Sequence, residues 1–196
     1  MKIGAVITAA GMATRMHEFK QLMKIGGIPM AERVIRNFRA AGVDPILVVT
    51  GYRAQELEEE LKGTGVRFLR NPAYETTDMF ESAKLGLKEI QNSCDRVFFC
   101  PADIPMFTEN TVGRLMEETA PLVMPVSAGR TGHPILMDRS LIPQILGYRG
   151  EGGLKGALAA LTVEPVYVPV RDPGTLADAD TQEEFCKLTE MIAGKG

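Results

Sequence analysis

The residues most able to do chemistry near the start of the chain lie in "TAAGMATRMHEFK", Thr8 to Lys20. The turn "AAG" (Ala9, Ala10, Gly11) directly follows an apolar run, and small side chains there let backbone N–H groups approach a phosphate closely, which makes an anion nest. Arg15 and Lys20 then supply two cations able to clamp a triphosphate and offset charge in its reaction. Two common glycine fingerprints are missing: there is no G-x-x-x-x-G-K-[ST], and no G-x-G-x-x-G follows the apolar run. ATP hydrolysis and hydride transfer both lose ground. Taken alone, the stretch also reads as a tight turn with two solvated cations.

Such a nest must be held by a scaffold, and the rest of the chain describes one. Short apolar, β-rich runs recur at "KIGAVITA" (from Lys2), "PILVVT" (from Pro45), "VRFLR" (from Val66), "RVFFCPA" (from Arg96), "LVMPVS" (from Leu122) and "VYVPV" (from Val166). Amphipathic stretches lie between them. "PMAERVIRNFRAAG" begins with Pro29 in a first-turn position and stops at Gly42, and "RAQELEEELKG" stops at Gly63. "TTDMFESAKLGLKEI" places Met79, Ala83, Leu87 and Ile90 on one helical face. This alternation predicts an α/β domain of three layers, a doubly wound, Rossmann-like and mostly parallel sheet covered on both faces. Ligands in such folds sit beyond the carboxyl ends of the strands.

Ala128 to Leu161 departs from the rhythm and carries seven glycines, at 129, 132, 147, 150, 152, 153 and 156. It reads as an inserted strand plus a flexible glycine-rich lid over the ligand crevice, within a single domain spanning 1–196. An ordinary surface loop is the other reading.

Composition narrows the partners. The chain has 196 residues, 45% hydrophobic, with a formal charge of -3 and no basic stripe or tail, so neither nucleic acid nor an anionic membrane is expected as a partner. Three cysteines at unrelated spacings and two histidines give neither a disulfide framework nor a zinc site. A cytoplasmic location follows as the expectation. The first apolar run reads as a buried strand rather than a signal peptide, and no segment approaches the roughly 20 apolar residues of a membrane span. The methionines Met16, Met23, Met30, Met79, Met106 and Met124 read as core filling.

The opening loop resembles that of the MobA-like nucleotidyltransferases, L-A-(A/G)-G-x-S-x-R-M-G-x-x-K. Thr8, Ala9, Ala10, Gly11, Arg15, Met16 and Lys20 match in order and spacing, while Ala13 replaces the usual Ser and His17 the usual Gly. Four further segments are similar in the same order. "NPAYETTDMFESAKLGL" offers Asn71, Ser82 and Gly86, with Asp78 where Gly is common; "PADIP" offers Asp103 and Pro105. "GHPILM" offers Gly132, His133 and Pro134 and resembles the MocA-like branch; "LADADTQEEF" offers Asp178, Asp180, Thr181 and Glu183, with Gln182 where Pro is usual. The resemblance implies nucleotide contacts at Thr8, Ala9, Ala10, Gly11, Arg15, Lys20, Asn71, Ser82 and Asp103. It implies catalytic roles for Arg15, Lys20 and Asp103, and an acceptor contact at His133. It also implies Mg²⁺ held by Asp103 and Asp180, with Asp178 the alternative second ligand.

That chemistry suits these residue types. Nucleotidyl transfer brings two anionic phosphates together, so charge repulsion is the main obstacle. A phosphate nucleophile is already ionised at neutral pH and requires no general base. Mg²⁺ keeps several waters and takes only one or two carboxylates plus phosphate oxygens. Asp103 could instead be a helix N-cap or turn former, and His133 a hydrogen-bonded structural residue.

Ala10 with the G-H-P strand, read through the resemblance, implies CTP rather than GTP, and molybdopterin (molybdenum) cofactor as the phosphorylated acceptor, with a molybdoenzyme or its chaperone as a further partner. Another NTP, another small phosphorylated metabolite, or a cofactor-binding protein without turnover are the alternatives.

Overall fold

A computed structural model describes residues 1–12 and 19–193, with the last two side chains of that range left aside. Arg15, Met16 and His17 therefore lie outside the described residues. In chain order the elements are β1 (Ile3–Ala9), β2 (Lys24–Ile25), β3 (Ile28–Pro29), α1 (Met30–Ala40), β4 (Ile46–Thr50), α2 (Ala54–Leu61), β5 (Arg67–Arg70) and α3 (Met79–Ile90). They continue as β6 (Arg96–Pro101), α4 (Glu109–Glu117), β7 (Leu122–Ser127), β8 (Arg130–Thr131), β9 (Ile135–Asp138), α5 (Ile142–Gly147), α6 (Gly153–Ala159), β10 (Val166–Pro169) and α7 (Gln182–Ala193).

The main sheet has the order β10-β7-β9-β6-β1-β4-β5, with β8 added to β7. Only β8 and β9 run antiparallel to their neighbours, so the sheet is mostly parallel, as expected. Alternation along β1 sorts its side chains to two faces. Ala5 and Ile7 join Val34 and Phe38 of α1, Leu57 of α2 and Val112 of α4 in one buried cluster. Val6 faces the other way, into a cluster with Ala83 and Leu87 of α3, Ile142 of α5 and Leu158 of α6. Three layers result.

The chain runs from β1 outward to β4 and β5, then returns through α3 to place β6 on the other side of β1. That reversal is the switch point at which an open α/β sheet leaves a crevice. In register, Thr8 lies opposite Val49 of β4 and Pro101 of β6, so three strands end at one level beneath it. Among the described residues no helix is long and apolar enough to cross a membrane.

The inserted segment contributes Arg130 to His133 to the crevice, and its glycine-rich part is helical rather than a flexible loop. Ala128 and Gly129 turn a hairpin with positive φ (48° and 75°) between β7 and β8, and β9 enters the sheet between β6 and β7. The glycine-rich remainder forms α5 and α6, whose Ile142, Ile145, Leu154 and Leu158 are buried on the α3 face. Burial of that apolar face outweighs the helix-breaking tendency of glycine. Met79 also departs from its expected core position: it is 52% exposed, and Phe80 packs inward in its place. Met30, Met106 and Met124 are buried as expected.

Gly86 is where α3 touches the sheet. A Cβ there would lie 2.4 Å from Cγ1 of Val6 and 2.9 Å from Cγ2 of Val49. Gly86→Ala should therefore destabilise the fold by about 1–3 kcal/mol through overpacking, despite alanine's better helix propensity. Urea unfolding of the two proteins measures the difference; a Gly86→Ala variant as stable as the parent would show that α3 can shift.

Candidate active site

A cavity of about 580 Å³ opens at the switch point. Thr8, Ala10 and Gly11 form its floor after β1, and Pro101 to Ile104 enter after β6. The start of α3 brings Asp78, Met79 and Ser82, while the β8–β9 link brings Gly132 and His133. Asp178 and Asp180 close the remaining side. The opening turn suits an anion: among the described residues nothing lies within 4 Å of where a Gly11 Cβ would sit, and Gly11 lines the cavity. Ala10 is packed from below, since a Cβ on Gly51 would meet the Ala10 methyl at 2.9 Å. Ala9, by contrast, points into the core beneath the nest.

Lys20 sits in a tight 3-10 turn whose preceding residue, Phe19, is buried edge-on against Tyr52 with ring centroids 5.7 Å apart. That anchor fixes where the lysine starts. Its Nζ donates to Oδ2 of Asp103 at 2.5 Å and to Oδ1 of Asp180 at 2.8 Å. Burial by itself would lower the Lys20 pKa, but attraction and hydrogen bonding to Asp103, then Asp180, outweigh it and raise the pKa above its ordinary value. Burial, followed by repulsion from Glu184, Asp180 and Asp103, pushes the Asp178 carboxyl above the usual carboxylate range. The cavity therefore concentrates negative charge.

Neither aspartate at the lysine is a helix cap. Thr108 caps α4, accepting from Thr111 N, and Asp103 lies in the turn just after β6. At α7, Thr181 and Glu184 cap each other reciprocally: Thr181 N donates to Glu184 Oε2 at 2.8 Å, and Glu184 N to Thr181 Oγ1 at 3.2 Å. Gln182 follows as the first helical residue, where Pro is favoured but not required. Asp180 is thus left to face the cavity.

Two carboxylate oxygens within reach of one ammonium mark a seat for a cation. Hard oxygen donors of this kind fit Mg²⁺, which needs only one or two carboxylates when phosphates supply further ligands. Among the described residues no group of three His, Cys, Asp or Glu side chains forms a metal cage.

Asn71 and Ser82 come together, though not as two ligand contacts. Asn71 Nδ2 donates to Oγ of Ser82 and Oγ1 of Thr77, both at 3.0 Å, and its Oδ1 accepts from Ala73 N. Thr77 and Ser82 line the cavity; Asn71 is buried behind them and positions the wall. Asp78, where the family pattern favours Gly, caps α3 by accepting from Glu81 N at 3.0 Å.

His133 stacks edge-on to Phe99 at 5.9 Å, and burial, the largest influence, lowers its pKa to about 4 despite a hydrogen bond to the Phe99 backbone. The imidazole is neutral near pH 7. Its Nδ1 is buried and lacks a partner among the described residues, as are Oγ1 of Thr8 and Oε1 of Gln21. All three residues line the cavity. Such atoms cost free energy unless a ligand or water pairs with them. Gln21, Tyr74, Thr77, Arg130 and Thr175 are cavity residues that the sequence reading missed. They sit on turns, links and the two-residue strand β8, where neither periodicity nor a chemical spacing marks them.

An anion nest and a shared cation seat at a switch point are what a nucleotidyltransferase requires, and that is the class of this protein. The chain belongs to the MobA-like NTP transferase family, whose domain matches residues 5–166. It is 25% identical over 190 residues to the molybdenum cofactor cytidylyltransferase of Escherichia coli K12, covering 96% of each chain. The family resemblance carried by the motifs is thereby borne out. Solved structures share the fold: a nucleotidyl transferase from Methanothermobacter thermautotroptrophicus has a TM-score of 0.87 at 24% identity, covering 100% of this chain and 99% of that one. Rv0371C of Mycobacterium tuberculosis H37Rv, solved in complex with manganese, has a TM-score of 0.80 at 17% identity, covering 97% and 99%.

The Lys20 contacts make metal binding testable without turnover. In nucleotide-free protein the ammonium competes for the carboxylates, so Lys20→Met should bind Mn²⁺ more tightly than the parent, by at least about 10-fold. Electron paramagnetic resonance of free and bound Mn²⁺ reads this directly. Equal or weaker affinity in the variant would mean that the two aspartates do not form the cation seat.

Proposed function

We propose that the protein is a Mg²⁺-dependent cytidylyltransferase, moving CMP from CTP to a phosphorylated acceptor with release of pyrophosphate, and that the acceptor is molybdopterin (molybdenum) cofactor. The observation that carries this reading is the convergence of Lys20, Asp103 and Asp180 at the crevice. The name of the Escherichia coli relative supports both donor and acceptor.

In the transfer, an ionised phosphate oxygen of the acceptor forms a bond to the α-phosphorus while the bond to the α–β bridging oxygen breaks, and pyrophosphate leaves with that electron pair. No proton has to move, so a neutral His133 is no obstacle. The turn Thr8 to Gly11 cradles phosphate through its backbone, and Ser82 lies at the α3 end of the same cavity. Lys20 would stabilise charge on the triphosphate; Arg15 is proposed as its partner from the sequence pattern. Mg²⁺, when bound by Asp103 and Asp180, neutralises the phosphates and the leaving pyrophosphate. Ala10, filled in against Gly51, narrows the floor under the base and favours cytosine over guanine.

Pyrophosphate release, measured with each NTP and with molybdopterin or a panel of other phosphorylated metabolites, tests the reading. CTP should exceed GTP by about 10- to 200-fold in kcat/KM, and Ala10→Gly should narrow the gap. Preference for GTP by the parent would overturn the donor assignment. Turnover with another phosphorylated metabolite alone would overturn the acceptor.

Removal of the carboxylates probes the metal. Asp103→Asn should slow transfer by at least about 100-fold, and Asp180→Asn less. The double variant should lose much less than the product of the two effects, because the aspartates act on one ion. Since Thr108 and Thr181 cap the neighbouring helices, thermal melts of these variants should stay close to the parent. Full Mg²⁺-dependent transfer by folded Asp103→Asn would sink the metal assignment.

A further inference from the structure

We propose that Arg130 binds the anionic group of the acceptor, so that the cavity has a nucleotide half around Lys20 and an acceptor half on the β7–β8 hairpin. The inference rests on the two-substrate transfer reading above. It begins from charge: among the described residues the cavity is lined by Asp78, Asp103, Asp178 and Asp180, against only Lys20 and Arg130. Lys20 is committed to Asp103 and Asp180. A second anion entering beside a triphosphate needs another cation, and Arg130 is the one that the described wall provides.

Unlike many surface arginines here it is not tied to a carboxylate, and unlike Arg114 and Arg171, which are also without one among the described residues, it lines this cavity. Arg36, Arg39, Arg53, Arg67 and Arg70 each pair with a carboxylate. Arg130 is exposed at the cavity and has no hydrogen-bond or ion-pair partner among the described residues. Its planar fork matches a phosphate bidentately, which a lysine cannot do.

The platform beneath it is fixed. Arg130 lies opposite Ser127 in the β7–β8 register, Gly132 N donates to Pro125 O at 2.9 Å, and His133 N donates to Thr175 O at 2.9 Å. A Cβ on Gly132 would lie 2.4 Å from Thr175 O, so this close approach requires glycine. Three residues beyond Arg130, the buried Nδ1 of His133 has no partner among the described residues. With the ring neutral and hydrogen-bonded to the Phe99 backbone through its other side, Nδ1 is an acceptor. The acceptor half therefore suits a phosphomonoester that also carries an O–H or N–H donor.

Two measurements on full-length protein decide the matter. In steady-state transfer, Arg130→Gln should raise the acceptor KM at least about 10-fold while the KM for CTP stays within about 2-fold, and Arg130→Lys should recover only part of the loss. Separately, inorganic phosphate is titrated by phosphorus-31 line broadening with the nucleotide half filled by Mg²⁺ and a CTP analogue bearing a carbon α–β bridge. Parent protein should bind phosphate at least about 10-fold more tightly than Arg130→Gln. Equal phosphate affinity, or a KM rise shared equally by CTP, overturns the Arg130 assignment. Parent protein that binds phosphate through Arg130 yet turns over no acceptor would overturn the transfer reading and leave the anion subsite standing.

Discussion

The interaction on which the site depends is the lysine ammonium held between two carboxylates drawn from distant parts of the chain. Lys20 follows the β1 loop, Asp103 follows β6, and Asp180 precedes α7. Each group is only partly exposed, with Asp180 the most open of the three. Two aspartates this close would repel each other in a half-buried crevice, so the free protein needs a cation there. The lysine provides it from within the chain, and it is also the group that a triphosphate would attract. Under the proposed function, a triphosphate that drew Lys20 away would leave the carboxylates with a deficit of positive charge that a divalent ion would satisfy.

The geometry that makes this possible was legible in part. The strands followed from short apolar β-rich runs, continuous because β1 is packed on both faces, and the principal helices from the apolar stripes of α1 and α3. Lys20, Asp103 and Asp180 were picked out by the motifs that resemble the family's, and the fold brings the three together. The three side-chain hydrogen bonds of Asn71 go to protein, and only the folded turn from 71 to 82 shows that Ser82 and Thr77 stand between it and the cavity. Met79 fits the helical stripe yet belongs to the first turn of α3, which overhangs the cavity. The helices of the inserted segment were not legible because glycine count is a local signal, whereas α5 and α6 exist by burying leucine and isoleucine against α3. Arg130 carried no sequence signal at all, since an arginine after a Gly-containing turn is ordinary until its neighbours are known.

The caps explain how aspartates near helix starts remain available to the cavity. Asp is a favoured N-cap, and one committed to a helix end has its oxygen occupied. At α4 and α7 that duty falls to Thr108 and Thr181, leaving Asp103 and Asp180 to the cavity; at α3 it falls to Asp78, which lines the same cavity as a cap. One residue type thus serves two purposes, separated by which position threonine takes.

A buried aspartate outside the cavity completes the arrangement. Asp172 accepts from Thr108 N and Oγ1 and from Thr111 Oγ1 through one oxygen, and from Gly174 N through the other. Four donors compensate a carboxylate that would otherwise be costly to bury. Their geometry ties the Pro173–Leu176 turn to the start of α4, and Gly174 is held so close that a Cβ would lie 2.0 Å from Met106 O. The next residue, Thr175, accepts the His133 amide through its carbonyl. The wall carrying His133 and, through the short link, Arg130 is therefore braced from α4 across the turn. A sequence search for catalytic carboxylates would rank Asp172 with Asp178 and Asp180, since all three lie within a few positions. Its hydrogen bonding sets it apart: both oxygens accept from protein donors, so it braces the wall that carries His133 and Arg130 rather than facing the cavity beside Asp103.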